Sequence, residues 1–122
     1  IGIGNPLFVP YGYAAKEVIT KIGLTKKISN KLILGKNVNQ VFLMSYLGNL
    51  DLAFVSHSDI KSKKNNKKGI IWGISQDLYS PINQDAILLL PGNQKKGAKE
   101  FMHFLQADLT KKQIKDYGYE VD

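Results

Sequence analysis

The chain has no cysteine and no arginine, and no apolar run reaches the roughly 18 residues that mark a membrane span. Without cysteine, disulfide frameworks, thiolate metal sites and cysteine nucleophiles are excluded together. All 17 basic residues are lysine. Base edges and phosphates are read best by the planar guanidinium fork, so the formal charge of +7 attracts anions at a distance without making nucleic acid the expected partner. The densest basic run, Lys61 to Lys68, contains no aromatic residue for stacking and reads as a solvated loop. Acid–base groups are equally sparse. His57 and His103 have no partner at a recognised spacing, and Glu100, Asp108 and Asp116 fall singly on helix surfaces. No catalytic constellation or metal cluster emerges, so the reading is a protein that is not an enzyme and carries no cofactor. The amino end, Ile1-Gly2-Ile3-Gly4, reads as the interior of a strand-turn unit with no leader before it, as expected of a piece of a longer fold. Its two glycines lack the third glycine and the immediate helix of a dinucleotide loop.

What is present is ordinary globular material: 122 residues, 43% hydrophobic and 22% charged, enough for one core. Ile1–Gly4 reads as a short strand ended by Asn5-Pro6. Ala14, Val18, Ile19 and Ile22 recur at helical spacing, which predicts a helix from Tyr13 to Ile22 closed by Gly23. Lys31–Leu34 reads as extended. Asn37, with Gln40 three residues on, resembles a capping box for a helix from Val38 to about Leu47. Three apolar runs then read as strands: Leu50–Ser56 and Ala86–Leu90, buried on both faces, and Ile70–Ile74 around the single tryptophan, Trp72. The end of the chain predicts a helix from Gly97 to Gln106, with Ala98, Phe101, Met102 and Leu105 on one face. A second helix begins near Asp108 or Thr110 and is capped by Gly118. Strands alternating with helices give an α/β fold, with Val18, Val41 and Phe101 in the core.

With charged chemistry scarce, the chemically active groups are backbone amides at helix starts. These N–H groups have no intrahelical acceptor and together carry about half a positive charge, so they hold oxyanions without a charged side chain. Two starts stand out, at Tyr11-Gly12 and at Asn37-Val38.

Read in order, these segments resemble one family. They run I-G-N-P-x-x-V-P-Y-G-x-A-A-K-E-V from Ile3, G-K-N-V-N-Q-V over residues 35 to 41, and G-N-L-D-L-A-F-V-S-H-S over residues 48 to 58. Y-S-P-I-N-Q-D-A-I-L-L over residues 79 to 89, F-M-H-F-L from Phe101 and Y-G-Y from Tyr117 follow. Together they are similar to the carboxyl-terminal half of the periplasmic molybdate-binding proteins of ABC import systems. That resemblance implies a type II periplasmic-binding-protein lobe, with a central mixed sheet flanked by helices and an incomplete second lobe. It divides the chain into an oxyanion-binding segment over residues 1–56 and a hinge-crossing and strand-helix segment over residues 57–122, with the amino-terminal half of the fold absent. It places two amide donors at Tyr11 and Val38, which would meet molybdenum only as molybdate, and a hydroxyl position at Ser56, where some members have tyrosine. The two serines that complete the site lie in the absent half. The implied ligand is molybdate or tungstate, the implied partner a membrane permease, and the implied location the periplasm or cell surface. Open sheet edges imply possible self-association. The alternative is a non-transport module, sensing oxyanions or binding another protein with the same lobe.

Overall fold

The structure, a computed structural model, describes residues 1–61 and 69–121. Most of the lysine run therefore lies outside the described residues. The chain forms two compact units, Ile1–Ile82 and Asn83–Asp122.

The first unit is built on β1 (Gly2–Gly4), which pairs in parallel with β2 (Ile33–Gly35) in the register Gly2 to Ile33 and Gly4 to Gly35. On its other side β1 makes a parallel bridge to Ala53, through Gly2 N–H donating to Leu52 O at 2.8 Å and Phe54 N–H donating to Gly2 O at 2.9 Å. Of the expected mixed sheet, the described residues hold this parallel part. Parallel neighbours need crossovers, and helices supply them. Between β1 and β2 lie α1 (Pro10–Lys21) and α2 (Thr25–Ile28), and after β2 comes α3 (Val38–Tyr46). A short α4 (His57–Lys61) follows the Ala53 bridge.

The core forms where α1 and α3 cover β1. Ile3, Ala15 and Ile19 make its centre, Leu24, Ile28, Leu32 and Phe54 close around it, and Val41 of α3 is 1% exposed. Three strand glycines let these helices come close. A Cβ on Gly2 would stand 2.4 Å from Leu50 Cδ1, one on Gly4 2.7 Å from Val9 Cγ1, and one on Gly35 2.5 Å from Val41 Cγ2. Tightest is Gly12, where a Cβ would meet the carbonyl oxygen of Gly4 at 2.1 Å. The first turn of α1 thus rests directly on the end of β1. Between them, Asn5 closes the strand: its side chain accepts from Leu7 N–H at 3.0 Å, and its N–H donates to Gly35 O at 2.8 Å. Gly23 ends α1 with φ +74, the left-handed conformation that spares glycine a steric cost.

The second unit contains α5 (Leu90–Asn93), α6 (Lys96–Gln106) and α7 (Asp108–Asp116), with α6 packed on α7 and Gly118 at φ +93 beyond it.

The sequence expectations need correction in several places. The first long helix starts at Pro10, not Tyr13, because proline's fixed φ and missing donor suit the first helical position. Leu50–Ser56 contributes a bridge, not a strand buried on both faces, and Leu52 is exposed. Neither Ile70–Ile74 nor Ala86–Leu90 forms a strand; Trp72 is 89% exposed and Ile87 81%. Phe101 is exposed and stacks on Phe104, with ring centroids 6.3 Å apart, and so is not core. An apolar run can form a buried strand only if a neighbour covers it, and the described residues supply none for these runs.

The Gly12 contact predicts a sharp contrast between two glycine-to-alanine changes. Gly12→Ala should lower unfolding stability by about 1–3 kcal/mol, since backbone must yield. Gly97→Ala, with nothing within 4 Å of its added carbon, should raise it by roughly 0.5 kcal/mol. Urea unfolding of both variants reads the difference, and equal effects would refute the contact.

Candidate functional site

In a parallel sheet, the helices that follow the strands all start at the same edge, beyond the carboxyl ends. Here α1 starts after β1, α3 after β2, and α4 after the bridge at Ala53. Tyr11 is the second residue of α1, Val38 the first of α3, and Ser56 directly precedes α4. The topology therefore gathers all three candidate residues at one edge.

The three starts differ in how far the chain has already satisfied them. At α1 the preceding residue is Val9, whose side chain has no acceptor, and no acidic residue lies in the first turn. Tyr11 N–H belongs to that turn, whose amides point out of the helix end. Val9 O accepts from Gly12 and Tyr13 at 2.9 and 3.0 Å, which sets the turn. At α3, Asn37 is a true cap: its Oδ1 accepts from Gln40 N–H at 2.8 Å. Gln40 reaches back to Lys36 N–H at 2.7 Å, one residue earlier than a standard capping box. Both bonds pass over Val38, whose N–H has no acceptor among the described residues. No acidic residue follows in that turn either.

Ser56 is different. Its side chain is buried, with the residue 4% exposed, and its oxygen is fully engaged. It donates to Asp59 Oδ2 at 2.7 Å, accepts from Asp59 N–H at 3.1 Å, and lies 3.0 Å from Ser58 Oγ. A hydroxyl has one proton and two lone pairs. Ser56 thus spends its proton on Asp59, and an anion engaging that hydroxyl must first take it.

His57 and His103 are both exposed, on α4 and α6. Among the described residues, no group of three or more acidic, histidine or cysteine side chains could hold a metal ion, and no helix is long and apolar enough to cross a membrane.

Sequence reading missed one polar tie further along α1: Glu17 accepts two hydrogen bonds from Ser80. The only local hint is that Glu17 and Lys21 share a helix face, which names no partner 63 residues away.

Comparison with known proteins gives a consistent result. The family model described as bacterial extracellular solute-binding protein matches residues 1–120. The chain is 37% identical over 119 residues to the molybdate-binding protein ModA of Rhodobacter capsulatus, covering 98% of this chain and 46% of that protein. It is 35% identical to the Azotobacter vinelandii protein of the same name, covering 98% and 47%. The solved structure of the A. vinelandii periplasmic molybdate-binding protein superposes with a TM-score of 0.88 at 28% identity, over 99% of this chain and 53% of that one. The chain spans about half the length of the curated relatives it matches.

The caps themselves can be tested without ligand. Asn37→Ala and Ser56→Ala should each lower stability by about 1 kcal/mol, the usual cost of losing a side-chain cap. Val9→Ser, which offers α1 the acceptor it lacks, should not recover the packing of Val9 on Gly4 and should gain less than that amount. Chemical denaturation of the three variants measures all three values.

Proposed function

The chain belongs to the bacterial extracellular solute-binding protein family, and on that premise we propose that it is part of a receptor for molybdate or tungstate. The observation that carries this reading is the pair of helix starts at one sheet edge, α1 and α3, neither with an acidic residue in its first turn. Tyr11 and Val38 amides would donate to the oxygens of a tetrahedral dianion. Such neutral donors stabilise negative charge through the helix dipole and need no counter-ion. Ser56 would join them only by exchanging Asp59 for the anion.

Charge distribution fits a division of labour between attraction and binding. Eleven of the 17 lysines lie in residues 1–82 against four carboxylates, whereas residues 83–122 contain six of each. The excess therefore belongs to the unit with the helix starts, where it would speed encounter with an anion without forming the site. Residues from 57 onward would carry the hinge crossing. The amino-terminal half of the relatives' fold would supply further donors and cover the exposed apolar residues of Ala86–Leu90. In the intact receptor, lobe closure on the anion would present the complex to a membrane permease, outside the cytoplasmic membrane.

Fixed donor spacing selects by size. Molybdate and tungstate are nearly equal in size and charge, so both should bind, while the smaller sulfate and phosphate should bind far more weakly. Calorimetry on the full-length protein should show this order. Amide spectra should show the Tyr11 and Val38 N–H resonances shifting on molybdate addition. No heat with either metal oxyanion at millimolar concentration would end the transport reading; binding without movement of those two amides would end this assignment of donors.

A further inference from the structure

Helix α1 is anchored twice, and the second anchor uses charge. Glu17 and Lys21 lie one turn apart and so share a face. On that face Glu17 Oε2 accepts from Ser80 N–H at 2.9 Å, Glu17 Oε1 accepts from the Ser80 hydroxyl at 2.8 Å, and Lys21 Nζ donates to the backbone carbonyl of Asp77 at 2.9 Å. The turn they grip is closed on itself. Leu78 N–H donates to Ser75 O at 3.1 Å, and Gln76 Nε2 donates to Tyr79 O at 3.1 Å. A preformed turn makes a firmer anchor than a loose loop, because little freedom remains to be lost on gripping it.

The two anchors act at different points along the axis. Gly12 rests on Gly4 at the start, and by helix geometry Glu17 and Lys21 lie roughly 7 and 13 Å further along. One contact alone would leave a pivot. Two anchors hold the helix axis and, with it, the direction of the first-turn amides. Ser80 is also two residues before Ile82, the last residue of the first unit, so the same grip fixes where the chain leaves that unit.

We propose that Glu17 is a positioning residue: by holding Ser80 it joins α1 and the turn over residues 76–80 into one body and so aims the Tyr11 amide. This rests on the reading of that amide as an oxyanion donor. Glu17 is suited to the role because one carboxylate accepts both donors of Ser80, and charge-assisted bonds of this kind are stronger than neutral ones. The bond from Ser80 N–H, then the bond from its hydroxyl, hold the Glu17 carboxyl below its ordinary pKa; burial opposes them weakly and Lys21 adds to them. The charged group that acts on it is Lys21 from its own helix. With the folded value depressed, the grip is complete above the ordinary glutamate range and is lost as pH falls through the lowered value.

The test uses the full-length protein and molybdate as the probe. At pH 7, Glu17→Ala should weaken binding about tenfold and Ser80→Ala, which keeps the backbone bond, about threefold, with the double variant no worse than Glu17→Ala. Glu17→Gln, the neutral counterpart of the protonated carboxyl, should bind more weakly than wild type, by up to the loss seen in Glu17→Ala. It should also remove the acid limb that wild type shows as Glu17 is protonated. The Glu17 carboxyl resonance should titrate at higher pH in Ser80→Ala than in wild type, and the Ser80 amide should exchange faster in Glu17→Ala. If Glu17→Ala does not fold, the Glu17→Gln pH profile, taken with an unchanged circular dichroism spectrum, decides the matter. Wild-type affinity in every variant, or an unchanged Ser80 exchange rate, overturns the positioning role while leaving the oxyanion reading intact. Absence of molybdate binding by wild type overturns the oxyanion reading and this role with it, even if Ser80 exchange still reports the grip.

Discussion

The backbone contact between Gly12 and Gly4 is the constraint on which the first unit depends. A helix that follows a parallel strand must turn back over the sheet, and its first turn can approach the strand end only if neither backbone carries a Cβ there. With Gly12 close enough that a Cβ would meet Gly4 O at 2.1 Å, α1 starts directly on the strand end. The same economy recurs at Gly35, beneath Val41, and at Gly2, beneath Leu50 and Val41. Small residues in the strands and apolar ones on the helices make a thin, close-packed layer. Burial of Ile3 and Val41 then contributes about 1.5–3 kcal/mol each, provided the helices stay this close.

In the proposed function, close packing and anion binding are linked through the helix starts. A helix end satisfied by its own side chains has little left for a ligand, and an acidic residue in the first turn would compete with one. Helix α4 illustrates the closed case, with Ser56 and Asp59 exchanging bonds around its start. Helix α3 is intermediate: Asn37 serves Gln40 and leaves Val38 open. At helix α1 the preceding residue, Val9, has no side-chain acceptor. The gradation follows from three residues, valine, asparagine and serine, at equivalent positions before three helices.

Much of this was legible in the sequence where the signal is local. Ala14, Val18 and Ile19 repeat at helical spacing, Asn37 and Gln40 mark a start, and Gly23 and Gly118 mark ends, each within a few residues of what it specifies. Strands are another matter. Ile70–Ile74 and Ala86–Leu90 have the composition of buried strands, but pairing depends on a neighbour that composition does not name. Phe101 fails for the same reason, since helical spacing gives a face without saying what covers it. At the candidate site, the ordered motifs led to Tyr11, Val38 and Ser56, and the parallel topology gathers them at one edge. They did not reveal that Ser56 already gives its proton to Asp59, or that Glu17 meets Ser80. The first depends on rotamers, and the second joins positions 63 residues apart.

Val9 shows how stability and the proposed recognition are balanced in one residue. Valine is a poor cap, and a serine or asparagine there would favour the isolated helix by about 1 kcal/mol. Yet Val9 is buried, and its side chain fills the space beside Gly4 that a Cβ on that glycine would occupy. An apolar residue therefore recovers through packing what it forgoes in capping, and offers the first turn of α1 no side-chain acceptor of its own. Pro10 extends the same logic, fixing the helical φ at the first helical position, where a missing N–H removes no helix bond. The helix that carries Tyr11, the proposed donor, is held at one end by glycine against glycine and further along by Glu17 against Ser80. Short of proline, no substitution removes a backbone amide, so the proposed site's sensitivity to mutation should reside mainly in these surrounding supports.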